Sequence, residues 1–172
     1  MQSSARPYHE AAISQRKGYL VAKRFLDIVC ALAASVVLSP VLMGIAVAIR
    51  IDSKGPAIFK HKRVGQNGKP LYLYKFRSMF ENAEDMIQDF TPEQKKEWEQ
   101  NFKLENDPRI TRVGRFLRRS SMDELPQLLN IIQGNLSIVG PRPVTPPEVE
   151  MYGDQAEKFL SVKPGLTGFW QV

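Results

Sequence analysis

Two adjacent carboxylates, Asp123 and Glu124, stand just before a proline and are surrounded by arginines. An ionised aspartate can attack a phosphoryl group and form a covalent acyl-phosphate. An adjacent carboxylate can hold Mg²⁺, which prefers oxygen ligands and bridges to substrate phosphates. Arginines neutralise the charge of a transferring group. Those near the pair are Arg109, Arg112, Arg115, Arg118, Arg119 and Arg142. These residue types at this spacing are suited to phosphoryl transfer.

A helix cap is the simpler explanation of the same two acids. Pro126 costs no helical hydrogen bond only in a first turn, which predicts a helix that begins at about Asp123 or Glu124. Asp123 would then be an N-cap and Glu124 a first-turn acid. Caps do not require so many cations, and a carboxylate placed there is expected to have a low pKa and stay ionised. Some of the arginines are expected at the site and others on anionic lipid headgroups.

The elements that must position this pair begin with an apolar segment, Phe25–Ile49, in which Asp27 is the one charged residue. The segment is long enough to cross the ~30 Å core of a bilayer, which needs about 20 helical residues. Cytoplasmic flanks are the ones enriched in lysine and arginine, and both flanks of this segment are basic. A hairpin satisfies both flanks, whereas a straight helix does not. The flanking cations are Lys17, Lys23, Arg24, Arg50, Lys54, Lys60, Lys62 and Arg63.

Pro40 lies near the middle of the apolar segment. Proline removes a backbone donor and leaves the Val36 carbonyl without its helical partner. Ser39 is expected to donate back toward the Ser35 carbonyl and favour a bend. These features predict a re-entrant membrane helix over residues 23–51 with a break at Ser39-Pro40. A spanning helix with a proline kink and a cleaved signal peptide are the alternatives.

The rest of the chain predicts an α+β domain that is mostly helical and contains one β-hairpin. Residues 1–22 form a polar leader. The hairpin turns at Asn67-Gly68, and Leu71, Leu73, Lys75 and Arg77 share one face of its second strand. Other predicted elements are a helical insert interrupted at Thr91-Pro92, helices over Arg112–Arg119, Glu124–Gln133 and Pro146–Leu160, a strand at "SIVG" and a final Pro/Gly loop.

Composition limits the class of partner. The net charge of +6 favours an anionic partner, namely a membrane surface, a nucleic acid or a phosphorylated ligand. Single-stranded nucleic acid is disfavoured because Phe116 is the one aromatic residue in the arginine-rich run. Cys30 is the single cysteine, so the chain has no internal disulfide framework, which fits a reducing compartment.

Four long motifs occur in a characteristic order: "KRFLDIVCALAASVVLSPVLMGIAVAIRIDSKGPAIFKHKRVG", "YKFRSM", "DPRITRVGRFLRRSSMDELPQLLNIIQGNLSIVGPRP" and "VKPGLTGFWQV". With them the chain resembles, over residues 22–172, the bacterial sugar transferase family of monotopic polyprenyl-phosphate phosphoglycosyl transferases. The resemblance implies transfer of a sugar-1-phosphate from a UDP-sugar to undecaprenyl phosphate with release of UMP, the initiating step of exopolysaccharide or surface-glycan synthesis. It also implies a re-entrant helix broken at Ser39-Pro40 and a catalytic domain, residues 52–172, on the cytoplasmic face of the inner membrane.

The resemblance also implies roles for single residues. Asp123 falls on the family's nucleophile and Glu124 on the carboxylate directed toward Mg²⁺. Four cations fall on phosphate- or substrate-binding positions: Lys75, Arg77, Arg118 and Arg142. The implied partners are the UDP-sugar, undecaprenyl phosphate and membrane lipids, with no nucleic acid. The sugar and the oligomeric state stay open, a homodimer being one option.

The chain departs from the family pattern at two places. Asn135 stands where many relatives have an acid. The family continues beyond "GFWQV" whereas this chain stops at Val172, which suggests a short catalytic form that is incomplete at its C-terminus. Two other functions remain as alternatives. One is a membrane-anchored basic adaptor for anionic lipid or nucleic acid, and the other is an enzyme that transfers the sugar without its phosphate.

Overall fold

A long helix and a β-hairpin begin the fold, and short helices and two short strands complete it. The computed structural model describes residues 17–101 and 104–169. Its elements are α1 (Lys17–Asp52), β1 (Ile58–Val64), β2 (Pro70–Phe76), α2 (Pro92–Asn101), α3 (Arg112–Arg119), α4 (Gln127–Gln133), β3 (Ser137–Val139), α5 (Pro146–Glu150), α6 (Ala156–Leu160) and β4 (Gly165–Thr167). The predicted mixture of helix and strand is confirmed. Most of the predicted leader, residues 1–16, and the last three residues lie outside the described part.

The hairpin forms where the sequence places it. Strands β1 and β2 pair antiparallel, with Val64 opposite Pro70 and Ile58 opposite Phe76. Asn67 and Gly68 both adopt positive φ, at 56° and 74°, which is the conformation that an Asn-Gly turn supplies. The turn therefore lies where it was predicted, and Leu71 and Leu73 of the predicted inner face of the second strand are buried.

Helix α1 remains helical through the predicted break, because Pro40 lies inside one continuous element. The Ser39 hydroxyl donates to the Val36 carbonyl at 2.7 Å, and the Ser35 hydroxyl donates to the Ala31 carbonyl at 2.7 Å. The expected bond from Ser39 to the Ser35 carbonyl is therefore wrong. The Val36 carbonyl is the group that Pro40 deprives of a donor, so it is the better acceptor. A re-entrant course requires a bend within this one helix rather than two separate helices.

One side of α1 packs against the domain along most of its length. Ala31 joins a buried cluster with Leu73 and Ile131, and Ile49 joins a second cluster with Phe76 and Leu117. The opposite side exposes large apolar side chains, which include Phe25, Leu26, Val29, Leu32, Val36, Val37, Val41, Met43, Val47 and Ile51. By length and composition, α1 is able to cross a membrane. The helix is thus both a part of the core and an apolar outer surface.

Polar contacts fix the two ends of α1 to the same domain. Near the start, Asp27 accepts hydrogen bonds from the Ser137 hydroxyl at 2.7 Å and from the Ile138 amide at 3.1 Å. Lys23 pairs with Asp27 at 3.3 Å. At the far end, the Asp52 carboxylate accepts from the Val113 amide at 2.9 Å, in the first turn of α3. Both ends of the apolar segment therefore lie against one folded unit.

Three local predictions are wrong. The first part of the insert forms turns rather than a helix, and α2 begins at Pro92 as predicted. The helix predicted over 146–160 is two short helices, separated at Gly153, where φ is 47°. The final Pro/Gly loop contains a strand, because Gly165–Thr167 pairs parallel with β3. Gly140 and Gly165 permit this pairing, since a Cβ on either would collide with the other segment's backbone.

Candidate active site

The acidic pair lies on a single tight turn between α3 and α4. Ser121 precedes it with φ of 55°, a left-handed conformation that is uncommon outside glycine and costs free energy. Met122–Glu124 then form a 3₁₀ turn. The arrangement turns the chain sharply after α3 and presents both carboxylates next to the end of β2, which packs against this turn.

The cap explanation for Asp123 is wrong. Helix α4 begins only at Gln127, and Pro126 precedes it without any side-chain cap. Pro126 still sits where no helical hydrogen bond is lost, so the proline rule holds while the helix start moves toward the C-terminus. Helix capping therefore does not explain the presence of an aspartate at position 123.

Lys75 of β2 bridges the two acids. Its Nζ lies 2.6 Å from Glu124 Oε1 and 3.9 Å from Asp123 Oδ2. The structure therefore brings Lys75 to the acidic pair, from which it is separated by nearly fifty residues in the sequence. Lys75 is within hydrogen-bond distance of Glu124. Its distance to Asp123 is too long for a hydrogen bond, so Asp123 interacts with it only through charge.

Burial raises the pKa of Asp123 above its usual value. Lys75 and Arg118 oppose this effect, and the neighbouring Glu124 charge adds to it. The side chain is 15% exposed. The expectation of a low pKa is therefore wrong, because loss of water around the carboxylate outweighs the attraction of the cations. A desolvated carboxylate held among cations is a stronger nucleophile than a hydrated one on the surface.

The arginine-rich segment divides between structural and site positions. Arg109 is buried, pairs with Asp107 at 2.7 Å and stacks on the rings of Phe90 and Trp98, so it holds the insert to the domain. Arg118 donates through Nε to the Ser78 hydroxyl at 2.9 Å, and its charge acts on Asp123. The other arginines of α3 are exposed, namely Arg112, Arg115 and Arg119. Arg118 is exposed as well, so the expectation that some of these arginines lie on lipid headgroups stays a prediction.

Arg77 makes its contacts at the end of α1 rather than at the acidic pair. Its guanidinium donates to the Ser53 carbonyl at 2.8 Å, to the Ser53 hydroxyl at 3.0 Å and to the Lys54 carbonyl. It satisfies the carbonyls at the C-terminal end of the helix, where a positive charge also complements the helix dipole. Of the two basic residues of "YKFRSM", the structure thus places only Lys75 against the acids.

A second charged group adjoins the first and includes two residues that the motifs did not single out. Arg63 of β1 pairs with Glu148 at 3.0 Å, and Arg142 lies 4.0 Å from the same carboxyl group. Glu148 also accepts from the Thr145 amide at 2.6 Å, which forms a capping box at the start of α5. The charge of Arg63 interacts with Glu124. The spacing of Thr145 and Glu148 predicts the cap, but nothing local predicts its pairing with Arg63.

His61 lies beside these cations and is held neutral. Burial lowers its pKa, and together with the charges of Arg63 and Lys75 it brings that pKa to about 4. The positive charge of this surface is therefore carried by arginine and lysine at neutral pH. Such a surface attracts phosphates without a change of charge in the physiological range.

Asn135 has a structural contact in this chain. Its side-chain oxygen accepts from Asn130 at 3.2 Å. Asn130 is fully buried, accepts from the Tyr74 amide at 2.9 Å and donates to the Tyr72 carbonyl at 2.7 Å. The two asparagines thus join α4 to β2 and fix the strand that carries Lys75.

The residues present fit a magnesium ion that arrives with a substrate. Within residues 17–101 and 104–169, no group of three or more acidic, histidine or cysteine side chains is placed to hold a metal. Mg²⁺ commonly binds through one or two carboxylates together with substrate phosphates. Glu124 would supply one such carboxylate, and the adjoining cations would hold the phosphates.

The family model for bacterial sugar transferases matches residues 18–172, and the chain belongs to this family. It is 47% identical over 153 residues to the undecaprenyl-phosphate galactose phosphotransferase of Salmonella typhimurium, a match that covers 87% of this chain and 32% of that protein. It is 43% identical over 155 residues to the UDP-glucose:undecaprenyl-phosphate glucose-1-phosphate transferase of Escherichia coli, covering 87% and 30%. With the exopolysaccharide production protein ExoY of Sinorhizobium fredii it shares 44% over 155 residues, covering 88% and 69%. The chain thus spans about a third of the length of the first two relatives.

Proposed function

We propose that the protein transfers a sugar-1-phosphate from a UDP-sugar to undecaprenyl phosphate and releases UMP, as the first step of exopolysaccharide or surface-glycan synthesis. The observation that carries the proposal is the half-buried Asp123 next to Glu124, with the Lys75 Nζ at 3.9 Å and 2.6 Å from their carboxyl oxygens. Relatives named for sugar-phosphate transfer to undecaprenyl phosphate support it.

The proposed reaction has two displacements at one phosphorus atom. An Asp123 oxygen bonds to the phosphorus that bears the sugar, while the bond from this phosphorus to the bridging oxygen breaks and UMP leaves with the electron pair. A phosphate oxygen of undecaprenyl phosphate then bonds to the same phosphorus, and the Asp123 carboxylate is released. Splitting the transfer in this way lets one site serve a soluble donor and a membrane-bound acceptor in turn.

In this scheme the cations around the acidic pair act electrostatically and transfer no proton. Lys75 and Arg118 flank Asp123, and Arg63 and Arg142 form the neighbouring charged group. They would bind the diphosphate and neutralise the charge that develops during transfer. Mg²⁺ held by Glu124 and the diphosphate would add Lewis-acid neutralisation of the leaving group.

The membrane course of α1 is proposed to be re-entrant, with a bend at Ser39-Pro40. Asp27 is bound to Ser137 and Asp52 to Val113, so both ends of the apolar segment contact one domain. A straight crossing would separate these ends by the hydrocarbon core, ~30 Å thick, and would draw the polar domain into it. Both flanks are basic, which favours entry and exit on the cytoplasmic face of the inner membrane. The exposed apolar side of α1 would face lipid.

Cysteine labelling tests this topology. Single cysteines at Leu20 and at Lys54, each in a Cys30→Ala background, are expected to react with an impermeant maleimide only after the membrane is opened. Both positions would lie on the cytoplasmic side, so intact cells would protect both. A cysteine on a known periplasmic loop of another protein is the control for reagent access. Labelling of one position in intact cells would establish a spanning helix.

The nucleotide released tests the reaction class. The purified protein is incubated with a panel of UDP-sugars and undecaprenyl phosphate, and the products are separated by chromatography. UMP is the expected product, because the proposed attack breaks the bond between the sugar-bearing phosphorus and the bridging oxygen, which leaves with UMP. Release of UDP would mean transfer of the sugar without its phosphate, and release of neither nucleotide would favour an adaptor.

A further inference from the structure

A groove runs between the second half of α1 and helix α3, and the proposed reaction makes no use of it. Its volume is about 640 Å³. Helix α1 supplies Val41, Gly44, Ile45 and Ala48, and α3 supplies Val113, Phe116 and Leu117. Asp52 and Arg112 line the end at which α1 finishes and α3 begins. The groove is therefore aliphatic along its length and polar at one end.

The floor of the groove is open at Gly44. A Cβ built on this glycine meets no atom within 4 Å, so the missing side chain leaves unfilled space. Phe116 stands at the rim and is 61% exposed. An aromatic residue exposed to this degree beside an unfilled aliphatic surface is unfavourable in water and favourable against hydrocarbon.

The rim carries positive charge on one side. At 100° per residue, Val113 and Leu117 point inward from α3, while Arg112, Phe116 and Arg119 share the outer face. Asp52 is the acid of this end, and its carboxylate accepts from the Val113 amide. Arginine beside an apolar groove matches the two parts of a membrane lipid, an anionic phosphate and a hydrocarbon chain.

We propose that this groove binds one anionic phospholipid, with an acyl chain along Gly44 and Ile45 and the phosphate against Arg112. Its chemistry favours a phospholipid because the outer face of α3 offers several exposed guanidinium groups to a charged headgroup surface. The bound lipid would hold α3 at the membrane surface. Because α3 leads through Ser121 into the turn of the acidic pair, the lipid would also set the height of that pair above the bilayer. The inference depends on membrane attachment of α1 and not on the transfer reaction.

Two glycines of α1 provide a matched test. Gly44→Leu places a side chain in the groove, where a Cβ meets no atom within 4 Å. Gly18→Leu adds the same side chain to the same helix outside the groove, where a Cβ also meets nothing. The protein in detergent is titrated with phosphatidylglycerol or with phosphatidylcholine of equal chain length, and retained lipid is counted by native mass spectrometry. Wild type and Gly18→Leu are expected to retain one phosphatidylglycerol, and Gly44→Leu to bind it about tenfold more weakly.

Arg112→Gln tests the contribution of the lipid headgroup separately from that of the acyl chain. This exposed substitution leaves the groove intact and is expected to remove the preference for phosphatidylglycerol over phosphatidylcholine. Equal retention by Gly44→Leu and wild type would overturn the proposal, as would an unchanged preference in Arg112→Gln. Displacement of the phospholipid by one equivalent of undecaprenyl phosphate would assign the groove to the acceptor instead. Thermal unfolding by circular dichroism checks that each variant is folded. If Gly44→Leu does not fold, the lipid preference of Arg112→Gln alone tests the proposal.

Discussion

Asp123→Asn is expected to lower sugar-phosphate transfer by several orders of magnitude while leaving the fold almost unchanged. The amide has nearly the same size as the carboxylate but cannot act as the nucleophile. Stability should change little because Asp123 caps no helix and its burial already disfavours the ionised form. UMP release and thermal unfolding are the two measurements. Asp154→Asn, at an exposed acid, is the matched control and should retain full activity.

The covalent intermediate is the direct evidence for this role. With a labelled UDP-sugar and no lipid acceptor, mass spectrometry should find a phosphosugar on the peptide that contains Asp123, and the Asp123→Asn protein should carry none. Ping-pong kinetics should accompany the adduct. Near-normal turnover of Asp123→Asn would remove Asp123 from the chemistry.

The pH profile of the first step follows from the same carboxylate. In the proposed reaction only ionised Asp123 attacks, so the rate should fall as the pH drops through its pKa. Burial raises that pKa, which places the acid limb above that of an exposed aspartate. Lys75 lowers the pKa of Asp123, so Lys75→Met should move the limb to still higher pH.

Glu124→Gln is expected to keep the fold, lose most activity and require more Mg²⁺. The change removes the proposed carboxylate ligand of Mg²⁺ and also frees Lys75 from its 2.6 Å contact with Glu124. Both effects weaken the hold on a diphosphate with its metal. The measurements are UMP release across a Mg²⁺ titration and, independently of turnover, binding of Mn²⁺ with UDP followed by electron paramagnetic resonance. Glu150→Gln, at an exposed acid, is the control. An unchanged metal dependence would leave Glu124 as the ion-pair partner of Lys75 alone.

Features set by neighbouring residues were predictable from the sequence. The Asn67-Gly68 turn, helix Arg112–Arg119 and the strand at Ser137–Val139 each depend on local conformational preference or on the hydrophobic pattern. The first residue of the helix after the acidic pair could not be predicted, because Pro126 is compatible with several positions near a helix start. The 3₁₀ turn at the pair depends on packing against β2, which is distant in sequence.

The candidate site was predictable in its acids but only partly in its cations. Lys75 and Arg77 lie two residues apart on the predicted face of one strand, yet the end of α1 takes one and the acidic pair takes the other. Arg63 entered the sequence argument only as a flanking charge, and its pairing with Glu148 joins residues far apart in the chain. The raised pKa of Asp123 depends on burial, which no pattern of charges reveals.

The membrane helix and the domain cannot be separated by a cut between them. Ala31 completes one buried cluster and Ile49 the other, so a chain that starts at the hairpin would leave both clusters open to water. Asp27 likewise obtains its hydrogen bonds from the domain only after Ser137 and Ile138 have been synthesised. Helix α1 is therefore synthesised before its polar partners, and its contacts with the domain form only when the domain folds.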